Sequence, residues 1–170
     1  MSERLTLILG LGQPGQGDAA CGLQVAETLK ASALAADPSV VIMSHVGDGE
    51  ALLHLLRTFE RVILVGGVMP LHKESGYRGG TIVELCDWQI NAPPAMDWAS
   101  PARGLSITNA LTLAYSTGAW PDRLMVYGIT GEHWRPQSPI SEAVQAALPD
   151  VGARILSTVT AWHGHAISEE

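Results

Sequence analysis

The chain has 170 residues and carries 10 Lys+Arg against 17 Asp+Glu, a formal net charge of −7 with His neutral. Charged residues are only 16% of it, and a chain this acidic lacks the Lys/Arg stripe that neutralises phosphates, so nucleic acid is excluded as a partner. Cys21 and Cys86 are far apart and no Cys-x-x-Cys occurs, which points away from a disulfide scaffold or a cysteine zinc site and towards two thiols in a reducing compartment. The N-terminal apolar run is too short for a signal peptide, and no stretch approaches the ~18 apolar residues of a membrane span. One cytoplasmic domain over residues 1–170, with no membrane contact, is expected.

In chain order, Leu5 to Leu9 is a short apolar run ending at Gly10 and reads as a buried strand. After a Gly/Pro/Gln turn, Asp18 is placed to cap a helix running to about Leu34, with Leu23, Ala26, Leu29 and Ala33 on its apolar face. Ser39 to Val46 is β-branched and reads as a second strand; Gly49 to Phe59 is a second helix with Leu52, Leu55, Leu56 and Phe59 inward and His54 outward. Arg61 to Val68 is apolar throughout, as expected of a strand covered on both faces.

From Met69 the pattern loosens into a loop, followed by a strand over Thr81 to Leu85 with no helix before it. Asn91 to Arg103 holds three prolines and little periodicity, so a long functional loop is predicted. A helix from Ser106 to Gly118 and a strand from Arg123 to Thr130 follow. Ser138 is placed to cap a helix with Pro139 in its first turn, Pro149 ends that helix, and Val151, Ile155, Val159 and Trp162 mark a last one before a frayed tail beginning at His163. The order β-α-β-α-β-β-α-β-α-α predicts an α/β fold of three layers. Its sheet is five-stranded and mostly parallel, with helices on both faces and one strand antiparallel.

The loop after the first strand, Gly10-Leu11-Gly12-Gln13-Pro14-Gly15, formally matches the dinucleotide fingerprint G-x-G-x-x-G. In that motif the helix opens within the glycines and presents its amides to a pyrophosphate. Here Pro14 and Gly15-Gln16-Gly17 delay the helix, and His45-Val46-Gly47 stands where the ribose-binding carboxylate belongs. A small-molecule or nucleotide-binding domain is therefore the third reading.

The same segment, extended to Gly10-Leu-Gly-Gln-Pro-Gly-Gln-Gly-Asp18-Ala19-Ala-Cys-Gly22-Leu-Gln-Val25, resembles the opening of the hydrogenase maturation endopeptidases, G-x-G-N-x-x-x-x-D-[DE]-x-x-G-x-x-[VI]. Further segments resemble that family in order and spacing: Gly47-Asp48-Gly49-Glu50-Ala-Leu-Leu53, Arg61-Val-Ile-Leu-Val-Gly66-Gly-Val68, Gly79-Gly80-Thr81-Ile82, Ser100-Pro-Ala-Arg103-Gly104-Leu105-Ser106, Val126-Tyr-Gly128-Ile129 and Ser138-Pro-x-Ser141. The resemblance implies a peptidase that trims a C-terminal extension from the large subunit of a nickel-iron hydrogenase once nickel is in place. It also implies two carboxylates and a histidine that engage the metal, a chemically apt donor set for a divalent first-row ion.

Carried over residue by residue, those three positions fall on Ala19, Gly66 and Arg103, the last shifting to Ala102 or Pro101 if the loop is offset. Ala, Gly and Pro have no side-chain donor, and Arg stays protonated. Asp18 is the motif acid that remains. No confident catalytic residue, no metal ligand of the chain and no cofactor are expected, the nickel of the family belonging to its substrate. The expected role is non-catalytic binding of the hydrogenase large-subunit precursor or another hydrogenase assembly protein. The predicted contact surface is a cleft at the strand C-termini containing Gln13, Asp18, His45, Asp48, His72 and Arg103. An active peptidase with a rearranged site, for example from His45, Asp48 and His72, is the alternative. Cys21, one turn into the first helix, reads as a small core residue rather than an activated thiol.

Overall fold

A computed structural model describes residues 4–46, 48–70, 77–86, 96–98 and 105–168. Six strands form one sheet: β1 (Thr6–Leu11), β2 (Val40–His45), β3 (Arg61–Pro70), β4 (Ile82–Cys86), β5 (Met96–Trp98) and β6 (Arg123–Thr130). The order is β2-β1-β3-β6-β4, with β5 attached to β3. The β1–β2, β1–β3 and β3–β6 pairs are parallel, whereas β4 runs antiparallel to β6 and β5 to β3. Helices α1 (Cys21–Lys30), α2 (Gly49–Thr58), α3 (Ile107–Ser116) and α4 (Glu142–Ser168) surround it. Among the described residues, no helix is long and apolar enough to cross a membrane.

Strand alternation splits the continuous apolar runs between two cores. Ile8, Ile63, Val65, Tyr127 and Ile129 face α1 and α4, joined by Val25, Leu29, Val151 and Ile155. Leu7, Leu9, Leu11, Val62, Leu64, Leu124 and Val126 face α2 and α3, joined by Leu52, Leu56, Ile107 and Leu111. Each fully buried aliphatic side chain contributes roughly 1.5–3 kcal/mol, so these two layers supply the main driving force. Contact between α1 and the sheet is close enough to demand glycine: a Cβ at Gly22 would stand 2.3 Å from the Leu11 carbonyl oxygen and 2.4 Å from that of Val65.

The α/β architecture and its covered, mostly parallel sheet follow the sequence reading, with differences in detail. The sixth strand, β5, lies inside the stretch expected to be a loop, and β3 continues through Met69 to Pro70 to pair with it. Three residues are too few for a periodic signal, so β5 exists by pairing rather than by propensity. The first helix is shorter than expected. A 3-10 turn (Gly17–Ala20) precedes α1, and a second (Ala33–Ala36) follows, its Ser32 Oγ accepting the Leu34 N–H at 3.3 Å. The buried face of α1 is Cys21, Gly22, Val25, Ala26 and Leu29, so Leu23 and Ala33 lie outside it.

The two C-terminal helices expected on either side of Pro149 are one, α4, and Ser141 rather than Ser138 precedes it. Val144, Leu148, Val151, Ile155, Val159 and Trp162 are buried at steps of three or four along its length, a continuous stripe that only an unbroken helix presents to the sheet. Pro149 sits on the exposed side, where water replaces the N–H it cannot donate to Gln145. His163 extends this helix rather than opening a frayed tail: its Nε2 lies 3.3 Å from Thr6 Oγ1 and its Nδ1 3.6 Å from Asp37 Oδ2. Replacing Pro149 by Ala restores a backbone hydrogen bond and should stabilise the chain by about 1–3 kcal/mol. Urea denaturation checks this: the midpoint should rise, and an unchanged or lower midpoint would mean that α4 is interrupted at Pro149.

Candidate functional site

The C-terminal ends of the strands are organised around one buried acid. Asp18 is fully buried, and its carboxylate is directed away from its own helix towards the loop joining β6 to α4. Oδ2 accepts the N–H of Glu132 at 2.6 Å and of His133 at 3.0 Å, and Oδ1 accepts the N–H of Ser141 at 2.7 Å. The Ser141 hydroxyl donates to Oδ2 at 3.0 Å and caps α4 by accepting the Val144 N–H at 3.4 Å. Capping of the adjacent helix, expected from the sequence, does not occur: the first turns after Gln16 and Ala20 have no side-chain cap. A surface contact by Asp18 is likewise corrected, because nothing of it reaches solvent. Burial by itself would raise its pKa. The N–H groups of Glu132, His133 and Ser141 and the Ser141 hydroxyl outweigh that and hold the carboxyl below its ordinary value.

The glycine loop is consumed by the same partnership. Gly17 N donates to Ser138 O at 3.0 Å, Asp18 N to His133 O at 2.7 Å, and Gln137 N to Gly15 O at 2.6 Å. Gly12 N donates to His45 O, Gln13 N to Ala19 O and Ala19 N to Gln16 O. A phosphate cradle needs such amides free and convergent; here those of Gly12, Gln13, Gly17, Asp18 and Ala19 already have protein acceptors, which argues against a nucleotide on this loop.

Beyond it, β3 carries a Gly66-Gly67 pair, and a tryptophan covers each residue on opposite faces. A Cβ at Gly66 would stand 3.0 Å from Cζ3 and 3.3 Å from Cε3 of Trp98, and 3.0 Å from the Leu11 carbonyl oxygen. One at Gly67 would stand 2.9 Å from the Asp18 carbonyl oxygen and 3.3 Å from Cζ3 of Trp134. Trp134 also lies over Gly131, whose Cβ would be 2.6 Å from its ring and 2.8 Å from Asp18 Cβ. Trp98 belongs to β5, opposite Val68, and Asp97 fixes that strand by accepting the Trp98 N–H at 2.9 Å and the Thr108 hydroxyl at 3.1 Å.

Of the predicted site residues, Gln13 and His45 come together at the ends of β1 and β2, with Gln13 Nε2 donating to Val46 O at 3.2 Å. Asp48 is exposed and is the N-cap of α2, accepting the Glu50 N–H at 2.9 Å. Ala19 is buried in the 3-10 turn and Gly66 lies within the buried run of β3 that continues to Val68, so both face protein rather than an open cleft. His72, Pro101, Ala102 and Arg103 lie outside the described residues. Among the described residues, no group of three His, Cys, Asp or Glu side chains is placed to hold a metal ion. Cys21 is a core residue: burial, then the nearby Asp18 charge, pushes its thiol up to about 12, the opposite of an activated nucleophile. His54 is exposed on α2, as expected.

The residues that the sequence reading missed are Trp98, Trp134 and Ser141. Ser141 lies in a quoted motif segment without a role read for it; the two tryptophans have no local pattern, and the glycines at 66, 67 and 131 against which they pack are the trace they leave. Asp18→Asn keeps the volume but replaces an acceptor oxygen by an amide donor facing buried N–H groups, and should cost on the order of 3 kcal/mol. The carboxyl's contribution is full above its unfolded pKa of about 4 and is lost as pH falls through its lower folded value. Chemical denaturation against pH should therefore show an acid limb below about pH 4 that is flattened in Asp18→Asn. Equal acid limbs would contradict the role given to Asp18.

No protein-family model and no curated relative matches the sequence. Solved structures do. The hydrogenase maturating endopeptidase HybD from E. coli superposes with a TM-score of 0.73 at 20% identity, over 92% of each chain. The [NiFe] hydrogenase maturation protease HybD from Thermococcus kodakarensis gives 0.63 at 16% identity, over 91% of this chain and 98% of that one. The maturation protease HycI from Thermococcus kodakarensis KOD1 gives 0.60 at 20% identity, over 89% and 90%. The chain has the α/β fold of the hydrogenase maturation endopeptidases along nearly its whole length.

Proposed function

We propose that this chain acts in the maturation of a nickel-iron hydrogenase large subunit as a binding or assembly factor that does not cut. It recognises the large-subunit precursor, or an assembly protein that carries it, in the cytoplasm. Support for the hydrogenase connection comes from the shared fold with proteins that are themselves maturation proteases, together with the ordered motif resemblance along the sequence. Fold alone does not assign chemistry, so the argument against cleavage rests on the site.

The observation that carries it is the Gly66 position within β3. Where the resemblance implies a metal-engaging acid, Gly66 has no side chain, and the indole of Trp98 lies 3.0 Å from where a Cβ would stand. Ala19, the second implied acid position, is buried and has no donor atom. A peptidase that positions its cut by the nickel of its substrate needs side-chain oxygen or nitrogen ligands there. Neither position supplies one.

Gln13, His45 and Asp48 remain on the surface at the strand ends, and Arg103 stands in sequence where the implied histidine belongs. A guanidinium at that place is suited to a carboxylate or a chain terminus of the partner. The intact scaffold then serves recognition while the cutting step is absent.

Biolayer interferometry with immobilised large-subunit precursor tests this reading. The chain should bind, and Arg103→Ala should weaken binding about tenfold, a loss of roughly 1.4 kcal/mol. Absence of binding to the precursor and to its assembly proteins would overturn the role, and binding unaffected by Arg103→Ala would remove the contact assigned to that residue.

A further inference from the structure

We propose that Trp98 excludes a divalent metal ion from this sheet edge, so that restoring the lost acids would not by itself restore a metal site. The inference concerns the geometry at Gly66 and holds whether or not the chain binds hydrogenase precursor.

A first-row metal needs oxygen or nitrogen donors at about 2.0–2.2 Å and room for its remaining ligands and waters. On the α2/α3 face of β3 that room is filled. The Cβ position of Gly66 is already 3.0 Å from both the Trp98 ring and the Leu11 carbonyl oxygen, closer than the ~3.5–4.0 Å of comfortable carbon contacts. A side chain at this position has aromatic carbon as its nearest side-chain neighbour, and aromatic carbon has no lone pair to offer a metal ion.

The indole is held in place. Its residue pairs with Val68 across the β3–β5 ladder. Asp97 binds the Trp98 N–H and the Thr108 hydroxyl together, tying β5 to α3. The ring packs against the apolar layer on the α2/α3 face of the sheet. Nor does the next residue offer a substitute place, because Gly67 faces the Asp18 carbonyl and Trp134 on the other side of the sheet. Gly66 and Trp98 thus form a tight pair: a side chain at 66 presses on the ring, and the glycine leaves the space that the ring occupies.

The test uses the purified chain alone. Ni2+ is titrated calorimetrically into Ala19→Glu/Gly66→Asp and into the same variant carrying Trp98→Ala. The variant without the indole should bind Ni2+ at least about tenfold more tightly; equal affinities, or binding in neither, would overturn the proposal. Should the multiple variants fail to fold, the pair is read by thermal melts of Gly66→Ala with and without Trp98→Ala. A melting temperature lowered by several degrees in the natural background and clearly less without the indole supports the pairing, whereas equal losses refute it.

Discussion

The carboxylate of Asp18 is the contact on which the functional edge of this protein depends. It joins two loops more than a hundred residues apart in sequence by accepting the amides of Glu132, His133 and Ser141 and the Ser141 hydroxyl. A buried anion is tolerated only when its oxygens are saturated with donors, so the carboxylate dictates where the β6–α4 loop must lie. That placement sets the start of α4, holds Trp134 against Gly67 and Gly131, and occupies the amides of Gly17 and Asp18. The resemblance to a phosphate cradle therefore ends at the level of sequence. The glycines serve a loop-to-loop junction, with Gly15 and Gly17 at positive φ where the two loops exchange hydrogen bonds.

A second constraint follows within β3. Between the aligned strands β1 and β6, the Gly66-Gly67 pair presents bare backbone on both faces, and Trp98 and Trp134 close over it. The scaffold of the maturation endopeptidases is retained, while the place where the resemblance implies chemistry has been packed like a core.

The sheet was legible because its strands are nearly continuous apolar runs bounded by glycine and polar turns. Arg123–Thr130 was bounded to the residue, and β3 was found from its Val-Ile-Leu-Val core. What escaped was set by distant partners. Helix α4 passes through Pro149 because the apolar stripe from Val144 to Trp162 outweighs one exposed missing hydrogen bond. Strand β5 is a product of pairing to β3, invisible in three residues. The candidate site was legible as a list of substituted positions, Ala19 and Gly66 among them. That an indole fills the space at Gly66 was not, since nothing near Trp98 in sequence refers to β3. Asp18 was recognised as a surviving acid, yet its partner loop lies far downstream and its inward direction has no local sign.

We propose that a maturation-endopeptidase fold serves here without a cutting step. Intact-mass spectrometry of a nickel-loaded hydrogenase large-subunit precursor, incubated with an excess of this chain, addresses it most directly. The account predicts a precursor of unchanged mass with its C-terminal extension in place. Release of that extension, absent from a parallel incubation without the chain, would contradict it.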